Sequence, residues 1–283
     1  MPASLLVVIL ALRQNREFSY DSAVNNAALI TGATSGIGLE LAKLLAADGY
    51  ELVLVSRNEQ RLREVAAEFS AKHRHPAKVL ARDLSAVGSA EEVYRWLREQ
   101  GITVEILINN AGFGLAGAFI ETDLQREIAM IQLNVVSLVV LTKLLAREMS
   151  ERKRGKILNV ASTAAFQPGP FMAVYYAAKG FVLSFSEALA EELKDTGITV
   201  TALCPGPTAT EFAKRADAGE SRLFASGMIP LMNAAVVAQI GYRGLMRGQR
   251  VVIPGLINRI GVQLPRLSPR RLVTLLTRIL NTR

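Results

Sequence analysis

The chain has 283 residues, of which half are apolar and one is cysteine, and its formal net charge is +8. Single α/β domains of about 250 residues are ordinary, so this length favours one domain. No continuous apolar run approaches the roughly 20 residues that span a bilayer, which argues against an integral membrane protein. The lone Cys204 excludes an intramolecular disulfide and suits a reducing, cytoplasmic compartment. It is expected to be a small buried residue at the end of a strand.

The first 26 residues precede the first predicted strand. Their apolar run, Leu5 to Leu12, is short and lacks the preceding charge and the following cleavage site of a signal peptide. We expect this N-terminal extension to be disordered, or to reflect a start codon placed upstream of the true one. A shallow membrane anchor is the alternative, because Arg13 and Arg16 follow the apolar run directly.

From Ala27 onward, apolar runs that indicate strands alternate with segments of helical periodicity. The predicted strands are Ala27–Thr31, Glu51–Val55, Ala77–Arg82, Val104–Asn109, Lys156–Val160, Thr199–Leu203 and Arg250–Ile253. The predicted helices begin at Gly36, Asn58 and Ser89, and longer ones cover Leu124–Ser150, Val174–Lys194 and Arg270–Asn281. This alternation predicts an α/β fold, a Rossmann-type doubly wound parallel sheet in a single domain over residues 27–255. Residues 256–283 are expected to form a C-terminal amphipathic helical extension.

The excess positive charge lies near the C-terminus, because the sequence after Glu220 has ten arginines and no acidic residue. Guanidinium groups interleaved with Leu, Ile and Val can bind anionic lipid, which would make the protein peripherally membrane-associated. The alternative is a solvated face on a helix that packs on its own domain or on a second subunit. Nucleic acid is not an expected partner, because no helix-turn-helix, zinc or RNP-like signature accompanies the arginines.

The segment Thr31–Gly38 reads Thr-Gly-Ala-Thr-Ser-Gly-Ile-Gly and lies between the first predicted strand and the first helix. In that context the backbone N–H groups at a helix N-terminus can cradle a pyrophosphate, so the turn predicts a dinucleotide site. Further along the chain, Tyr175 and Lys179 share one helix face at a spacing of four residues. A cation beside a phenol stabilises the phenolate, so the pKa of Tyr175 is predicted to be lowered.

Together these residues resemble the short-chain dehydrogenase/reductase family, from about Ala27 to Pro254. The family's motifs occur here in order: the glycine turn, Asn-Asn-Ala-Gly at Asn109–Gly112, a serine thirteen residues before the tyrosine, Tyr-x-x-x-Lys, and a Pro-Gly segment at Cys204–Thr210. Five motifs in the right order and spacing make chance improbable. The resemblance implies a nicotinamide-dependent oxidoreductase.

The resemblance also implies roles for four catalytic residues. Tyr175 exchanges a proton with the substrate oxygen, and Ser162 donates a hydrogen bond to that oxygen. Lys179 lowers the pKa of the tyrosine and holds the nicotinamide ribose. Asn134 holds a water that connects Lys179 to solvent. Tyr176 is one residue out of register with Lys179, so it is expected to pack or to line the pocket.

The implied cofactor-binding residues come from the glycine turn, the strand ends and the active-site helix. They are Gly32, Thr34, Ser35, Gly36, Ile37, Gly38, Ser56, Arg57, Asp83, Leu84, Asn110, Ala111, Gly112, Tyr175, Lys179, Pro205, Gly206, Thr208 and Thr210. NADP(H) is expected in preference to NAD(H), because the second strand ends in Ser56-Arg57 instead of a carboxylate, and arginine forks onto a 2′-phosphate. Discrimination is expected to be moderate, because Ser35 stands where many NADP-using relatives have a second basic residue. Asp83 has the alternative role of capping the next helix.

The segment that covers the substrate in this family runs here from Thr208 to Met232. It is rich in apolar residues: Phe212, Leu223, Phe224, Met228, Ile229, Leu231 and Met232. An apolar lid favours a lipophilic ketone or alcohol of fatty acyl, 3-oxoacyl or steroid-like type. Phe113, Phe166 and Phe171 are candidates for the same wall. The alternative function is a non-catalytic NADP(H)-sensing or scaffolding protein, although such relatives usually lack the tyrosine or the lysine.

Two further expectations concern assembly and metals. The family pairs its two long helices across a twofold axis, so a homodimer or homotetramer is expected through Leu124–Ser150 and Val174–Lys194. His73 and His75 lie in a basic loop with no nearby cysteine or carboxylate, so no metal site is predicted.

Overall fold

The computed structural model of the protein describes residues 26–72, 77–219, 221–222 and 231–282. The predicted N-terminal extension up to residue 25, the histidine pair His73 and His75, and residues 220 and 223–230 of the predicted lid lie outside the described residues.

A seven-stranded parallel sheet forms the centre of the domain. Strands β1 to β6 cover Ala27–Thr31, Glu51–Ser56, Lys78–Ala81, Val104–Asn109, Gly155–Val160 and Ile198–Leu203. Two-residue strands follow: Thr208–Ala209 (β7) and Met232–Asn233 (β8), which pair with each other, and Val251–Val252 (β9) at the edge of the main sheet. The strand order is β3-β2-β1-β4-β5-β6-β9, with every pairing parallel. The expected doubly wound Rossmann-type sheet is confirmed.

Helices cover both faces of this sheet. In chain order they are α1 (Gly36–Ala47), α2 (Glu59–Lys72), α3 (Ser89–Glu99), α4 (Leu124–Glu151), α5 (Ala173–Glu192), α6 (Phe212–Arg215), α7 (Ala234–Met246), α8 (Leu256–Gly261), α9 (Leu264–Leu267) and α10 (Arg270–Asn281). Helices α1, α2 and α7 share one apolar core, and α3, α4 and α5 share another on the opposite face. Strands β1 and β4 are buried at every position, as parallel strands between two helical layers must be.

The strand order changes direction between β1 and β4. Ligands of open α/β sheets bind at such a switch point, beyond the carboxyl ends of the strands. The fold therefore directs attention to the turns after β1, β2, β4, β5 and β6.

Helix α4 is the element that bears on the expectation that no apolar run approaches the length needed to span a bilayer. It is the one helix in the described part of the chain that is long and apolar enough to do so by length and composition. Its inner face, however, contributes Leu141, Leu145 and Met149 to the core beneath the sheet. A core helix of a soluble domain passes the same test, and the packing of α4 on β4, β5 and β6 is that of a layer helix.

Candidate active site

One cavity of about 560 Å³ lies beyond the carboxyl ends of β1 to β6. It brings together all of the predicted catalytic and cofactor-binding residues except Gly38 and Asn134. Gly38 packs closely against the Asn110 amide, and Asn134 bonds to the backbone of Phe113; both neighbours line the cavity. The motifs scattered from residue 32 to residue 210 therefore form a single site.

The glycine turn has the geometry that close approach to a phosphate requires. Gly32 and Gly36 adopt φ values of +67° and +56°, a left-handed region that favours glycine. A Cβ on Gly32 would lie 2.8 Å from the Asn110 amide nitrogen, and one on Gly38 would overlap the same amide. In the described part of the chain, the Ser35 side chain does not cap the first turn of α1. The free N–H groups and the helix dipole there fit an anionic pyrophosphate.

Hydrogen bonds between β1 and the end of β4 hold this turn in place. The Thr31 hydroxyl donates to the Ile108 carbonyl at 3.2 Å and accepts from the backbone N–H groups of Asn110 and Ala111, both at 3.0 Å. The Asn110 amide donates to the Thr31 and Gly32 carbonyls, also at 3.0 Å. Asn110 thus orients the turn as well as lining the cavity.

The end of β2 presents a cation to the cavity. The Arg57 side chain is 63% exposed and lies 4.0 Å from the Asp83 carboxylate, a loose ion pair. The Ser56 hydroxyl lies 3.3 Å from the Thr34 hydroxyl. Asp83 also accepts from Ser85, at 3.0 Å from its N–H and 2.6 Å from its hydroxyl, so it orders the turn after β3.

A second cation, Arg82, lines the same cavity and was not predicted. Its guanidinium pairs with Glu92 at 3.1 Å, and its side chain is half exposed. Its position directly before Asp83, at the end of a strand, is the signal that sequence reasoning overlooked.

Tyr175, Ser162 and Lys179 meet on the other side of the cavity. Tyr175 and Lys179 lie on α5, and the ammonium nitrogen is 5.9 Å from the centroid of the phenol ring. Lys179 donates to the Val160 carbonyl at 2.8 Å, which fixes the ammonium at the end of β5. Ser162 begins a short 3-10 turn, and its hydroxyl accepts from the Ala164 N–H at 3.1 Å.

The pKa of Tyr175 differs from the sequence expectation. Burial raises it, because the charged phenolate loses its hydration, while hydrogen bonding to the Ser162 hydroxyl opposes that shift. Burial also lowers the pKa of Lys179 to about 8. The expected lowering of the tyrosine pKa by the lysine is therefore wrong for the isolated chain, since desolvation by burial dominates the shift.

Asn134 lies on a π-helical turn of α4, Gln132–Ser137, and is almost completely buried. Its amide oxygen accepts from the Phe113 N–H at 3.2 Å, and its amide nitrogen donates to the Phe113 carbonyl at 2.9 Å. Asn134 therefore holds the loop that follows β4 against α4, behind Gly112.

A buried polar chain beneath the site also escaped sequence reasoning. Asn109 donates to the Thr142 hydroxyl and to the Asn159 amide oxygen, both at 2.9 Å. Asn159 in turn donates to the Ser186 hydroxyl at 3.0 Å. Satisfied buried networks rigidify their surroundings, and this one joins β4 and β5 to α4 and α5.

The C-terminal extension forms one wall of the cavity. Eleven of its residues line it: Ile257, Asn258, Gly261, Val262, Leu264, Pro265, Ser268, Val273, Leu276, Thr277 and Leu280. Among the predicted wall residues, Phe113 and Phe212 also line the cavity. Phe166 instead packs in the core around α5, and Phe171 lies against Arg278 at 5.9 Å, so neither extends the wall. The predicted lid residues 223–230 lie outside the described residues.

Helix α10 is fixed to the active-site helix through one side chain. The Asn281 amide oxygen accepts from the Tyr176 hydroxyl at 3.1 Å, and its nitrogen donates to the Pro170 carbonyl at 2.9 Å. Tyr176 lines the cavity, as expected, and its hydroxyl anchors the extension. Cys204 is completely buried at the end of β6, as predicted, and burial raises its pKa to about 12.

Comparison with known proteins identifies the family. A model of the short chain dehydrogenase family matches residues 26–221 of the chain. The chain therefore belongs to the short-chain dehydrogenase family, a family of oxidoreductases whose fold binds a nicotinamide cofactor.

Three individual proteins illustrate the similarity. A very-long-chain 3-oxoacyl-CoA reductase of Anas platyrhynchos is 37% identical over 193 residues, which cover 66% of this chain but only 61% of that relative. A short-chain dehydrogenase from Sphingobium yanoikuyae in complex with NADPH superposes with a TM-score of 0.76 and 32% identity, covering 86% of this chain and 94% of that one. The bulky-bulky ketone specific alcohol dehydrogenase from Comamonas testosteroni superposes with a TM-score of 0.72 and 30% sequence identity. The superposition covers 86% of this chain and 91% of that one.

Proposed function

We propose that this protein is an NADP(H)-dependent oxidoreductase that transfers a hydride between the nicotinamide and a lipophilic ketone or secondary alcohol. The observation that carries this proposal is the shared cavity, which joins the glycine turn and Arg57 to Ser162, Tyr175 and Lys179. A site that only bound the cofactor for sensing would not require a proton donor such as Tyr175 beside it.

Arg57 and Ser56 support the preference for NADP(H). The Arg57 guanidinium is largely exposed and only loosely paired, so it is available to fork onto a 2′-phosphate. Arg82 adds a second cation to the same part of the cavity, which compensates for Ser35 in the glycine turn. The similar Sphingobium dehydrogenase, whose structure is in complex with NADPH, supports the same preference.

The chain's own residues handle one proton and one developing charge. The glycine turn and Lys179 would hold the cofactor, whose nicotinamide would supply the hydride for reduction or accept it for oxidation. Tyr175 donates its phenolic proton to the carbonyl oxygen, and Ser162 donates a hydrogen bond to that oxygen. The Lys179 ammonium stabilises the phenolate that remains, and Asn134 orders the water through which Lys179 exchanges protons with solvent. In the oxidative direction each proton transfer runs in reverse.

The apolar lining around the Tyr175 acid favours a lipophilic substrate. Phe113, Met172, Phe212, Val273 and Leu276 give this side of the cavity apolar surface. The names of similar proteins, a very-long-chain 3-oxoacyl-CoA reductase and a bulky-bulky ketone specific alcohol dehydrogenase, point to the same class. Fatty acyl, 3-oxoacyl and steroid-like ketones are therefore the substrates to test.

The test is NADPH consumption with a panel of short, long-chain and polycyclic ketones, together with 3-oxoacyl thioesters. We expect turnover to increase with the apolar size of the ketone, and to be faster with NADPH than with NADH. NADPH binding without turnover on any member of the panel would favour the alternative, a non-catalytic sensing or scaffolding protein.

A further inference from the structure

Helix α10 has a buried face and a separate exposed apolar face. Val273, Thr277 and Asn281 recur every four residues and are buried against the domain. Leu272, Leu275, Leu276 and Ile279 follow the i, i+3, i+4, i+7 pattern of a second stripe, and each is between 42% and 53% exposed. The first face explains how α10 packs on the domain, and the second face remains open to solvent.

The preceding helices continue this open apolar surface. Leu256 and Ile260 on α8 and Leu267 at the end of α9 are 72%, 56% and 85% exposed. Isolated exposed apolar residues are ordinary, but a contiguous set marks an interaction site. We call these residues, with Leu272, Leu275 and Ile279, the docking face.

Only cations accompany the docking face. Residues 256–282 contain five arginines, all exposed, and no acidic residue: Arg259, Arg266, Arg270, Arg271 and Arg278. None of the five forms an ion pair with an acidic residue in the described part of the chain. On a helical wheel, Arg271 and Arg278 border one side of the outer stripe of α10. The Arg278 guanidinium lies over the Phe171 ring, whereas Arg271 is placed where a snorkelling side chain reaches lipid headgroups.

The docking face borders the mouth of the cavity. Ile257, Leu264 and Leu276 line the cavity and are nevertheless 65%, 58% and 53% exposed. The apolar lining of the site is therefore continuous with the apolar outer surface of the extension.

From these observations we propose that residues 256–282 dock on an anionic phospholipid bilayer, with the cavity opening towards the lipid. The arginines complement the phosphate headgroups, and the apolar side chains insert at the boundary between headgroups and acyl chains. A second copy of the chain is the weaker occupant, because a twofold contact would bring arginines against arginines. The inference that the cavity opens towards the lipid rests on the proposed function, because an apolar ketone would then enter directly from the bilayer. The inference that the extension docks on the bilayer does not rest on the proposed function.

The test uses the full chain and vesicle flotation. Vesicles of phosphatidylcholine alone are compared with vesicles of phosphatidylcholine mixed with phosphatidylglycerol, at low and at physiological ionic strength. We expect binding to the mixed vesicles, weakened by salt because exposed charges are screened within about 8 Å at physiological ionic strength.

Two variants probe the docking face without touching the cavity lining. Leu275→Ser with Ile279→Ser should weaken binding to the mixed vesicles at least about tenfold, because it removes inserted apolar surface. Arg266→Gln with Arg271→Gln should weaken it at least about fivefold at low salt, because each arginine near the surface contributes attraction. Arg243→Gln with Arg247→Gln removes the same charge from the C-terminal end of α7 and the residue that follows it, and should bind like the wild type.

Each outcome decides the proposal. Unchanged binding by the leucine–isoleucine variant, or equal binding to vesicles with and without phosphatidylglycerol, would overturn it. Conversion of an oligomer to a smaller species by the same variant, measured by light scattering without vesicles, would assign the face to a second copy and also overturn it. NADPH consumption with a water-soluble ketone is measured in parallel. An inactive protein that still docks refutes the proposed function alone, whereas an active protein that fails to dock refutes this inference alone.

Discussion

At the scale of single residues, burial acts on the two titratable groups of the site in opposite directions. It raises the pKa of the Tyr175 phenol and lowers the pKa of the Lys179 ammonium to about 8. Lys179 is therefore the first of the two to lose its proton as the pH rises. The proposed reduction needs a protonated phenol, a condition that holds well above neutrality, so we expect the charge on Lys179 to set the alkaline limit of activity.

The first prediction concerns this pH dependence. We expect kcat for ketone reduction to fall as the pH rises through about 8, because neutral Lys179 no longer stabilises the phenolate that Tyr175 leaves. The Lys179→Met variant should be much slower and its kcat nearly constant between pH 7 and 9. Steady-state rates at saturating NADPH measure both profiles. The same alkaline decline in Lys179→Met would show that another group controls it.

The second prediction concerns Arg57. An arginine–phosphate pair contributes roughly 1.5 to 3 kcal/mol, so Arg57→Ala should raise the Kd for NADPH by about ten- to a hundredfold. The Kd for NADH should change little, because NADH lacks the 2′-phosphate. Arg63→Ala is the matched control, since Arg63 is exposed on α2, pairs with Glu59 and lies outside the cavity lining. Equal losses for both cofactors would make Arg57 a structural residue.

The grouping of Ser162, Tyr175 and Lys179 could be predicted because their spacings, thirteen and four residues, match a known motif. The pKa of Tyr175 could not, because it depends on burial by residues distant in sequence. The Phe212 ring, 5.3 Å from the phenol ring, comes from the segment after β6. The sequence spacing of Ser162, Tyr175 and Lys179 says nothing about which distant residues bury the Tyr175 phenol.

At the scale of elements, α4 and α5 expose apolar side chains that a monomer would leave in water. Leu124, Ile128 and Ile131 follow one face of α4, each at least 42% exposed. Phe181 on α5 is exposed to the same degree and stacks on Phe185. This is the surface through which a homodimer or homotetramer is proposed.

The third prediction therefore concerns oligomeric state. Light scattering at micromolar concentration should show a dimer or a tetramer. The Ile128→Arg variant should shift the equilibrium towards the monomer, because it places a charge in an apolar contact between subunits. Val87→Arg is the control, because Val87 is 89% exposed in the loop before α3. A monomeric wild type would contradict the proposed interface.

The regular elements of the fold were predictable and the irregular ones were not. Strands β1 and β4 and helix α10 have the expected bounds, because strong apolar periodicity marks them. The π-helical turn of α4 and the short helices α8 and α9 were missed. Their formation depends on tertiary contacts, such as that of the Asn258 amide on α8 with the Met232 sulfur at 3.4 Å, and not on a repeating pattern.

At the scale of the whole molecule, the cavity joins both ends of the described chain. The glycine turn after β1 forms one end of the site, and α10, more than 200 residues later, forms a wall. Asn281 joins α10 to α5, because its side chain bonds to the Tyr176 hydroxyl on α5 and to the Pro170 carbonyl before that helix. The position of the extension should therefore control how substrate is held.

The fourth prediction follows from that junction. Asn281→Ala removes two hydrogen bonds, each contributing about 0.5–1.5 kcal/mol, so α10 should detach more readily. We expect KM for a bulky ketone to rise about tenfold, with the Kd for NADPH unchanged. Thr282→Ala is the neighbouring control, because the Thr282 hydroxyl bonds only to carbonyls within α10 in the described structure. An unchanged KM would show that the wall formed by α10 does not contact substrate.

The most direct test of the central claim, that Tyr175 supplies the proton for ketone reduction, is the single-turnover rate of Tyr175→Phe with NADPH and the best ketone of the panel. We expect a loss of at least about a hundredfold with NADPH binding nearly intact, because the ring remains while the proton is gone. Tyr176→Phe, whose hydroxyl bonds to Asn281, should lose less than about tenfold. Near-normal turnover by Tyr175→Phe would contradict the mechanism.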